Sequence, residues 1–480
     1  MAIKEWSLDQ VVKATQGEIL SSPFVKFVGI GTDTRQDLTG KLFVALKGDQ
    51  YDAHEFLIQA VDRGAHGLLV NSGVAVSAEI RSRCSVIAVQ DTLRGLQDLS
   101  HYFRQENSQM QFLAVTGSNG KTTTKEFAAQ MISTERKTHW SHASFNNHWG
   151  VPLTLLNTPV NSEVVIVEMG MNHAKELTRL VEIAEPQVVL CTMVGRAHLE
   201  HFKSMEVLAS AKYEIYESAS PRATRIYNKD NPWTLKMFQE DQVRFPDSKK
   251  ITFSQKDPKS DIFFQLETVT FDEIFFNGHI LDVNGRSVKG SSRVKVFGIQ
   301  NLINLMAASA LALSCGLTPE QIWKALSLCK TSWGRNQIEV LSSGAILLFD
   351  AYNANPDSMM ALLDNLKRIE VSGRKVAILG QMLEMGKNSP LLHEELGRKA
   401  AESALDEVYF LGAPAEGAAF QKGFESYQNS KCRVLTEFDL TVAQEISQKL
   451  KSGDLIALKA SRGMKLERFV APLSKSRTEL

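Results

Sequence analysis

The sequence predicts an α/β protein of three domains. Its 480 residues exceed the roughly 250–300 at which a single hydrophobic core stops growing, so the chain is expected to divide. Apolar strand-like runs alternate with helical stretches through two long parts of the chain, a pattern typical of parallel sheets covered by helices. We place the domains at 1–106, 107–328 and 329–480.

The N-terminal part mixes short strands with helical stretches. Leu42–Leu46 and Gly67–Val70 are apolar runs that predict strands, and residues around 55–63 predict a helix. The polar segment Arg104–Gln109 precedes the next apolar strand, and we interpret it as a linker. A small α/β domain is therefore expected before the central one.

The central part has the rhythm of a mostly parallel sheet. Strands are predicted at Phe112–Val115, Val164–Val167 and Val188–Thr192, with helices from Lys121 and from Ala174 between them. This order is that of a P-loop-type domain. Residues 261–296 then become β-rich, and we interpret Asn277-Gly278 and Asn284-Gly285 as hairpin turns of an inserted antiparallel patch.

The C-terminal part alternates strands and helices again, in a Rossmann-like rhythm. Strands are predicted at Ile346–Phe349, Val376–Leu379, Val408–Leu411 and Leu455–Leu458, with helices after Pro356 and near Glu394.

Composition excludes some classes of partner. Lys+Arg and Asp+Glu both number 54, so no net field attracts nucleic acid, and we expect no nucleic-acid partner. The apolar run Leu305–Leu317 is shorter than the about 20 residues that span a bilayer, so it predicts a buried helix and no stable membrane insertion. The first residues show no export signal, and the five cysteines are scattered and odd in number. We therefore expect a cytoplasmic protein, and a monomer.

The segment Thr116–Thr123 predicts a phosphate-binding loop. It follows a strand and precedes a helix, and Gly117 and Gly120 let the backbone approach an anion at the helix N-terminus. Lys121 can reach the β- and γ-phosphates, and Thr122 offers a hydroxyl to Mg²⁺. Only two residues separate the glycines, where the common P-loop has four. The alternative is a glycine-rich turn with an incidental lysine.

Two further residues are candidate metal ligands. Glu168 ends an apolar strand, where it faces the crevice of a parallel sheet, and His198 follows the next strand. Glu168 could instead cap the following helix or pair with Arg179, and a histidine is an unusual ligand for Mg²⁺.

Several motifs together resemble those of the Mur ligase family, ATP-dependent ligases that extend the peptide of the peptidoglycan precursor. The resemblance covers nearly the whole chain. Its motifs are Thr116–Thr123, Asn146–Pro152, Glu168, His198, Ala211–Ile215, Gly298–Asn304 and Lys459–Met464. The family commonly has His where this chain has Gln300.

The resemblance implies ATP and Mg²⁺, and it assigns residues to them. The residues implied for ATP are Gly117, Ser118, Asn119, Gly120, Lys121, Thr122, Thr123, Asn301, Arg335 and Asp350. The implied catalytic residues are Lys121, Glu168, His198 and Lys212, and the implied metal ligands are Thr122, Glu168, His198 and Lys212 as a carbamate. Without the resemblance, Lys212 reads as a solvated lysine, Asn301 as a helix cap, Arg335 as a surface arginine and Asp350 as a turn former.

Within the family, segments 32–35, 43–48, 350–358 and 379–386 resemble the members that add D-alanyl-D-alanine to UDP-N-acetylmuramoyl-tripeptide. Those two molecules are therefore the expected substrates, joined through an acyl phosphate. The N-terminal domain would bind the UDP end, and the C-terminal domain the dipeptide. The implied contacts are Thr34, Arg35, Lys47, His54, Asn146, Asn147, Tyr352, Asn353, Asn355 and Ser461.

Three alternatives remain. The chain could be another amino-acid ligase of the family, such as the one adding the third residue, although the Asp-Asn-Pro-Arg motif of that ligase is absent. It could be the folate-glutamylating relative, which does not need a UDP-binding region. It could also be a regulatory protein with a degenerate ligase fold, which would be expected to lack Lys121, Glu168 or His198. Whether the third peptide residue is lysine or diaminopimelate stays open.

Overall fold

Three main sheets follow one another along the chain. The computed structural model describes residues 3–48, 50–197, 200–425 and 431–474. Each sheet has helices packed on it, and the predicted α/β class is confirmed. In the described part of the chain, no helix combines the length and the apolarity needed to cross a membrane.

The N-terminal part forms a five-stranded sheet. Its elements are β1 (Glu5–Ser7), α1 (Leu8–Thr15), β2 (Glu18–Ser21), β3 (Lys26–Val28), β4 (Ile30–Gly31), β5 (Leu42–Val44), α2 (Leu57–Asp62), β6 (Gly67–Asn71), α3 (Ala78–Arg83), β7 (Ser85–Val89) and α4 (Thr92–Glu106). The sheet order is β2-β7-β6-β5-β4, parallel except for β2, while β1 pairs separately with β3.

The central part forms a nine-stranded sheet. Its elements are β8 (Gln111–Thr116), α5 (Lys121–Ile132), β9 (Thr138–Trp140), α6 (Gly150–Leu156), β10 (Val164–Glu168), α7 (Glu176–Ala184), β11 (Val188–Cys191), α8 (Met205–Glu217), β12 (Thr224–Asn228), α9 (Pro232–Arg244), β13 (Lys250–Ser254), β14 (Ile262–Val269), β15 (Ile274–Leu281), β16 (Ser287–Val294), α10 (Gln300–Ser314) and α11 (Pro319–Leu326). The order is β16-β15-β14-β13-β12-β11-β8-β10-β9, and only β15 runs antiparallel to both of its neighbours.

This strand order fixes where a ligand can bind. The chain places β10 on one side of β8 and β11 on the other, so the loop after β8 lies at a topological switch point. In open α/β sheets the crevice at such a point, outside the carboxyl ends of the strands, is the usual ligand site.

The C-terminal part forms a six-stranded sheet. Its elements are β17 (Gln337–Val340), β18 (Ile346–Asp350), α12 (Pro356–Arg368), β19 (Lys375–Gly380), α13 (Ser389–Ala401), β20 (Glu407–Leu411), α14 (Pro414–Phe424), β21 (Lys431–Leu435), α15 (Leu440–Lys449), β22 (Leu455–Lys459) and α16 (Glu467–Ser474). The order is β17-β18-β22-β19-β20-β21, with only β17 antiparallel.

Two local predictions were wrong. Arg104–Glu106 is not linker but the last turn of α4, because Arg104 is buried and donates to the carbonyls of Ala184 (3.0 Å) and Glu185 at the end of α7. A cation there satisfies the unpaired carbonyls of a helix C-terminus. Asn277-Gly278 lies inside β15 rather than in a turn, whereas Asn284-Gly285 does form the β15–β16 turn, as predicted.

The surroundings of Gly278 explain the second of these errors. A Cβ on Gly278 would stand 1.9 Å from the carbonyl oxygen of Phe263 on the paired strand β14. The glycine is therefore placed there by the close approach of two backbones and not by a turn. The buried helix predicted near Leu305 is confirmed as α10, of which the central stretch is fully enclosed.

Candidate active site

The predicted phosphate loop joins β8 to α5, and close packing explains its two glycines. Gly117 has a φ of +142° and Gly120 a φ of +83°. A Cβ on Gly117 would stand 2.0 Å from Thr192 Oγ1, and a Cβ on Gly120 would stand 2.4 Å from Asn304 Oδ1. Both positions therefore need glycine for space as well as for conformation.

Hydrogen bonds from the segment after β11 hold the loop in place. Ser118 N–H donates to the carbonyl of Met193 (2.8 Å), and its hydroxyl donates to the carbonyl of Gly195 (2.9 Å). Thr192 Oγ1 donates to the carbonyl of Asn119 (2.5 Å). The loop is thus shaped before any ligand binds, which lowers the cost of binding an anion.

Lys121 lies at the first position of α5, folded back over its own loop. Its Nζ donates to the carbonyl of Gly117 at 2.7 Å. Burial lowers the pKa of Lys121, while the carboxylates of Glu168 and Glu384 act in the opposite direction. A lysine held by a single backbone carbonyl can exchange that contact for a phosphate oxygen.

Glu168 closes the other side of the crevice at the end of β10. It is 1% exposed, and its Oε1 accepts from Asn146 Nδ2 at 2.8 Å. Its Oε2 is buried and has no hydrogen-bond partner among the described residues. The nearby Lys125 Nζ is 3.7 Å away. A buried carboxylate oxygen without a partner is costly, so this atom fits a site for a cation.

Both alternatives for Glu168 are excluded. Arg179 is turned toward Gln97 (3.1 Å) and Asp98 (3.6 Å) instead. Helix α7 has Lys175 as its N-cap residue, and no side chain caps it.

Thr122 faces the same space from α5. It is buried, and its Oγ1 lies 3.3 Å from Ser144 Oγ. Ser144 also accepts from Arg335 Nη2 at 3.2 Å. The oxygens of Thr122 and Glu168 are hard donors of the kind Mg²⁺ prefers, so these two residues fit that ion. Within the described ranges, no group of three or more His, Cys, Asp or Glu side chains is arranged so that it could hold a metal ion. The predicted ligand His198 lies outside the described residues.

Lys212 is not a solvated helix lysine. It lies on α8 and is 1% exposed. Burial and, to a smaller extent, the charge of Lys121 lower its pKa to about 7, while Cys191 acts in the opposite direction. A buried lysine near pH 7 is partly an uncharged amine, the form that can react with CO₂.

Sequence reasoning missed Lys125, which organises this side of the site. Its side chain is fully buried on α5, and its Nζ donates to the carbonyls of Ser141 (2.6 Å) and Ala143 (2.7 Å). Glu126 lies 3.1 Å from the same nitrogen. Lys125 thus fixes the segment that carries Ser144. The only sequence signal is a lysine one helical turn after Lys121, on a helix that is otherwise largely enclosed.

The start of α10 packs against the phosphate loop. Asn304 Nδ2 donates to Asn301 Oδ1 (2.9 Å), and Asn301 Nδ2 donates to the carbonyl of Phe297 (2.8 Å). Neither asparagine caps the helix, so the capping interpretation was wrong. Gln300 Oε1 accepts from Asn365 Nδ2 at 2.7 Å, which ties α10 to α12.

Residues of the C-terminal part reach the loop directly. Asn119 and Asn355 exchange two hydrogen bonds through their side-chain amides, at 2.8 and 3.2 Å. Arg196, beyond β11, is bonded to Asp357 (2.8 Å) and Glu395 (3.1 Å). The C-terminal part therefore lies against the phosphate loop in this structure.

Arg335 and Asp350 lie on the facing side of this interface. The Arg335 guanidinium lies 4.5 Å from the centre of the Tyr352 ring and reaches Ser144, so it is not a free surface arginine. Asp350 Oδ2 accepts from the buried Lys459 at 2.5 Å, and its Oδ1 accepts from Asn336 N–H at 3.3 Å. Asp350 therefore links the end of β18 to the end of β22 and to the segment before β17.

Two family models match the chain. The Mur ligase middle domain matches residues 115–312, and the Mur ligase glutamate ligase domain matches residues 334–462. UDP-N-acetylmuramoyl-tripeptide--D-alanyl-D-alanine ligase of Bacillus subtilis is 32% identical over 98% of both chains. The Escherichia coli protein of the same name is 30% identical over 98% of this chain and 99% of its own.

The chain belongs to the Mur ligase family. Crystal structure I of MurF from Acinetobacter baumannii superimposes with a TM-score of 0.85, at 28% identity, over 99% of this chain and 100% of that one. The MurF ligase of Thermotoga maritima in complex with ADP has the same fold, with a TM-score of 0.76 at 24% identity over 93% and 97% of the two chains. The three-domain Mur ligase architecture is thereby confirmed, while the domain boundaries stay predictions. As a Mur ligase, the protein is an ATP-dependent enzyme that forms amide bonds.

The predicted substrate residues of this Mur ligase are held in different ways. Asn146 bonds Glu168, and Asn147 Oδ1 accepts from Gly150 N–H (2.9 Å) at the start of α6. Asn353 offers its carbonyl to Lys459 (3.1 Å), and Ser461 Oγ accepts from Leu383 N–H (3.0 Å). Asn353 and Ser461 line a cavity between the central and C-terminal parts, and Asn146 lies beside Glu168 at the end of β10.

The N-terminal candidates lie in another part of the molecule, and we call Thr34, Arg35, Lys47 and His54 the N-terminal substrate residues. Arg35 has a side chain 89% exposed and pairs with Asp33, and Lys47 lies 3.7 Å from Asp52. His54 is enclosed, with Nδ1 2.6 Å from Asp52 and Nε2 accepting from Asn71 N–H. Their assignment as substrate contacts stays a prediction.

Proposed function

We propose that this Mur ligase joins D-alanyl-D-alanine to UDP-N-acetylmuramoyl-tripeptide, forming UDP-N-acetylmuramoyl-pentapeptide, ADP and phosphate. The observation that carries this proposal is the likeness, along 98% of the chain, to relatives named for that reaction. We also propose that it acts in the cytoplasm, as a monomer, on a peptide that ends in lysine or diaminopimelate.

The chain's own residues explain how the phosphates are bound. The backbone N–H groups at the start of α5 point to the crevice, and the helix dipole favours an anion there. Lys121 exchanges the Gly117 carbonyl for a phosphate oxygen. The hydrogen bonds of Thr192 and Ser118 hold the loop in one conformation, so the loop reorganises little when charge moves during the reaction. Phosphoryl transfer depends mainly on such fixed positioning and charge stabilisation.

Mg²⁺, when bound, neutralises charge on the transferred phosphate. Thr122 and Glu168 would hold it, and we propose His198 and a carbamate on Lys212 as further ligands. The lowered pKa of Lys212 supports the carbamate, because only the neutral amine reacts with CO₂. We further propose that Asn301 contacts the adenine, Asp350 the ribose and Arg335 the phosphates.

The remaining residues position the two substrates and exclude water. The carboxylate of the tripeptide accepts the γ-phosphoryl group, the amino group of the dipeptide attacks the carbonyl carbon, and phosphate leaves with its oxygen. The interface made by Asn119 with Asn355 and by Arg196 with Asp357 shields the reactive acyl phosphate from hydrolysis. We propose that residues 1–106 bind the UDP end through the N-terminal substrate residues.

The direct test is phosphate release with matched substrate pairs. Purified protein, ATP and Mg²⁺ are supplied with UDP-N-acetylmuramoyl-tripeptide and D-alanyl-D-alanine, and the product is weighed by mass spectrometry. We expect phosphate only when both substrates are present, together with the mass of the pentapeptide. Release that instead requires the UDP-dipeptide with lysine or diaminopimelate would assign the chain to the addition of the third residue.

A further inference from the structure

A cavity of about 290 Å³ lies at the β17 edge of the six-stranded sheet, on the face that α16 covers. Its walls come from the segment before β17, from β17 and β18, and from α16. None of the residues that line it is proposed above to bind nucleotide, metal or substrate. The proposed reaction therefore leaves this cavity without a role.

Most of the cavity wall is apolar. Leu347 and Phe349 contribute buried side chains from β18, and Val470 contributes a partly buried one from α16. Trp333 is 50% exposed, and the centre of its ring lies 5.3 Å from that of Phe349. Walls of this kind favour the apolar part of a ligand over water.

Two carboxylates interrupt the apolar wall, Glu467 at the start of α16 and Glu339 on β17. Glu467 Oε1 is paired with Arg462 at 2.6 Å, whereas its Oε2 is buried and has no hydrogen-bond partner among the described residues. Glu339 Oε1 accepts from the uncharged amide of Gln337 at 2.6 Å, and within the described part of the chain Glu339 forms no ion pair. Carboxylates that are only partly compensated favour a cation.

Arg462 does not line this cavity. It lines the neighbouring one, between the central and C-terminal parts, and its guanidinium lies 5.0 Å from the centre of the Trp333 ring. The two carboxylates of the cavity are thus matched by one described cation, which leaves a net negative charge. The contact with Arg462 also shows that the indole ring is placed to attract cations, as aromatic faces do.

The surroundings favour an organic cation over a metal ion. Mg²⁺ and Ca²⁺ take about six or more oxygen ligands, whereas this cavity offers two carboxylates and apolar groups. Among the residues described, no group of three or more acidic, His or Cys side chains could hold a metal ion. An ammonium group on a carbon chain needs fewer acceptors, and its chain can cover the apolar wall.

We propose that this cavity binds a primary alkylammonium ion, which is the chemistry of a lysine side chain and of a free aliphatic amine. The ammonium group pairs with Glu467 beside the Trp333 ring, and the chain packs on Leu347 and Val470. The volume fits such a ligand, since pockets for drug-sized molecules begin at about 300 Å³. Because these residues take no part in the proposed reaction, the proposal does not depend on it.

Calorimetric titration of the full-length enzyme with n-pentylamine, at neutral pH and without nucleotide or substrate, tests this site. We expect saturable binding that neither 1-pentanol, which has no charge, nor ammonium chloride, which has no chain, reproduces at equal concentration. Glu467→Gln keeps the size of the side chain and removes its charge, so Kd should rise about 10-fold or more. Glu370→Gln, in an exposed carboxylate just beyond α12, is the matched control and should leave Kd unchanged.

Two further positions separate binding from a structural role. Trp333→Leu should raise Kd about 5-fold, and Trp333→Phe should keep most of the affinity, because an aromatic ring attracts the ammonium group. Arg462→Met removes the cation that shares Glu467, so pentylamine should bind this variant at least as tightly as the wild type.

The source of the amine is distinguished by a second probe, Nα-acetyl-lysine N-methylamide. Binding of this probe with the affinity of pentylamine would mean that the cavity admits a lysine side chain of a polypeptide. Binding of pentylamine alone would mean that the ligand is a free amine.

Four results would overturn the proposal. They are no saturable binding of pentylamine, equal binding of 1-pentanol, an unchanged Kd in Glu467→Gln, and loss of binding in Arg462→Met. The last result would mean that Glu467 serves only to hold Arg462.

Discussion

The phosphate-loop site, which comprises residues 117–123, Glu168 and Lys212, differs sharply from the N-terminal substrate residues. At the phosphate-loop site the groups are buried and under-satisfied, as Glu168 Oε2 shows. Arg35 and Lys47 are instead largely exposed, and each is already paired within its own turn. A buried polar atom without a partner is costly unless a ligand binds to it. The phosphate-loop site therefore indicates which kind of ligand it binds, whereas the N-terminal substrate residues are compatible with several kinds.

The largest effect is expected for Lys121→Ala. In the proposed mechanism its ammonium stabilises the charge of the transferred phosphate, so kcat for ligation should fall about 10³-fold or more. Because Nζ bonds only the Gly117 carbonyl among the residues that the structure describes, the melting temperature should stay near that of wild type. Steady-state phosphate release measures the first effect, with the exposed Lys256→Ala as the control. A wild-type rate in Lys121→Ala would mean that the loop does not take part in the reaction.

Lys212→Ala should lower the rate about 100-fold, the upper range for groups that support a metal site. Short carboxylic acids such as formate or acetate should partly restore it, because they bring oxygens into the space the side chain leaves. Chloride at equal ionic strength serves as the control. A rate that is indifferent to the substitution would refute the carbamate.

Glu168→Gln should raise the Mg²⁺ concentration needed for half-maximal rate about 10-fold or more. The charge at the buried oxygen is lost while the hydrogen bond from Asn146 can persist. Titration of the rate with Mg²⁺ at saturating ATP measures this shift, and Glu370→Gln should show none. Identical titration curves would mean that this oxygen holds no cation.

The stability of the protein should depend on pH through Lys212. Its folded-state pKa is about 7, against 10.5 for the ordinary group, so between these values the unfolded chain binds a proton that the folded chain does not. Raising the pH therefore favours folding by up to about 1.4 kcal/mol per pH unit. The measurement is urea unfolding in buffer free of CO₂. From pH 7 to 9, the free energy of unfolding of the wild type should rise relative to that of Lys212→Met. Parallel curves would contradict this.

Arg35→Ala should have the smallest effect. An exposed ion pair contributes at most about 1 kcal/mol, so the KM for the UDP substrate should rise no more than about 5-fold, with kcat unchanged. Lys47→Ala should raise the KM for the UDP substrate by a similar factor. In the double variant, the free-energy changes of the two substitutions should add. A loss of a hundredfold would mean that the N-terminal residues are as well organised as the phosphate loop.

Much of the fold could be predicted from the sequence because local patterns determine it. Strands β8, β10 and β11 follow from their continuous apolar runs, and the loop at 117–120 follows from its glycines and its lysine. The errors arose where contacts between distant segments decide the structure. Arg104 is polar in sequence yet buried against α7, and Gly278 faces Phe263 across a strand pair rather than making a turn.

The site was predictable only in part for the same reason. Glu168 and Lys212 lie in motifs that can be recognised in the sequence. That Glu168 Oε2 is buried without a hydrogen-bond partner among the described residues can be seen only in the structure. Lys125 gave only a weak signal in the sequence, a lysine one helical turn after Lys121, because its role arises from contacts with Ser141 and Ala143, which are 16 and 18 residues away. The strand order decides which distant segments meet at the site, and the spacing of apolar residues in the sequence does not determine that order.

Calorimetric titration of the protein with ADP and Mg²⁺, at two temperatures, tests most directly whether the phosphate loop binds a nucleotide. We predict saturable binding that Lys121→Ala weakens strongly and Lys256→Ala leaves unchanged. The claim that the phosphate loop binds a nucleotide would be contradicted by the absence of binding at both temperatures. It would also be contradicted if Lys121→Ala bound ADP with the wild-type affinity.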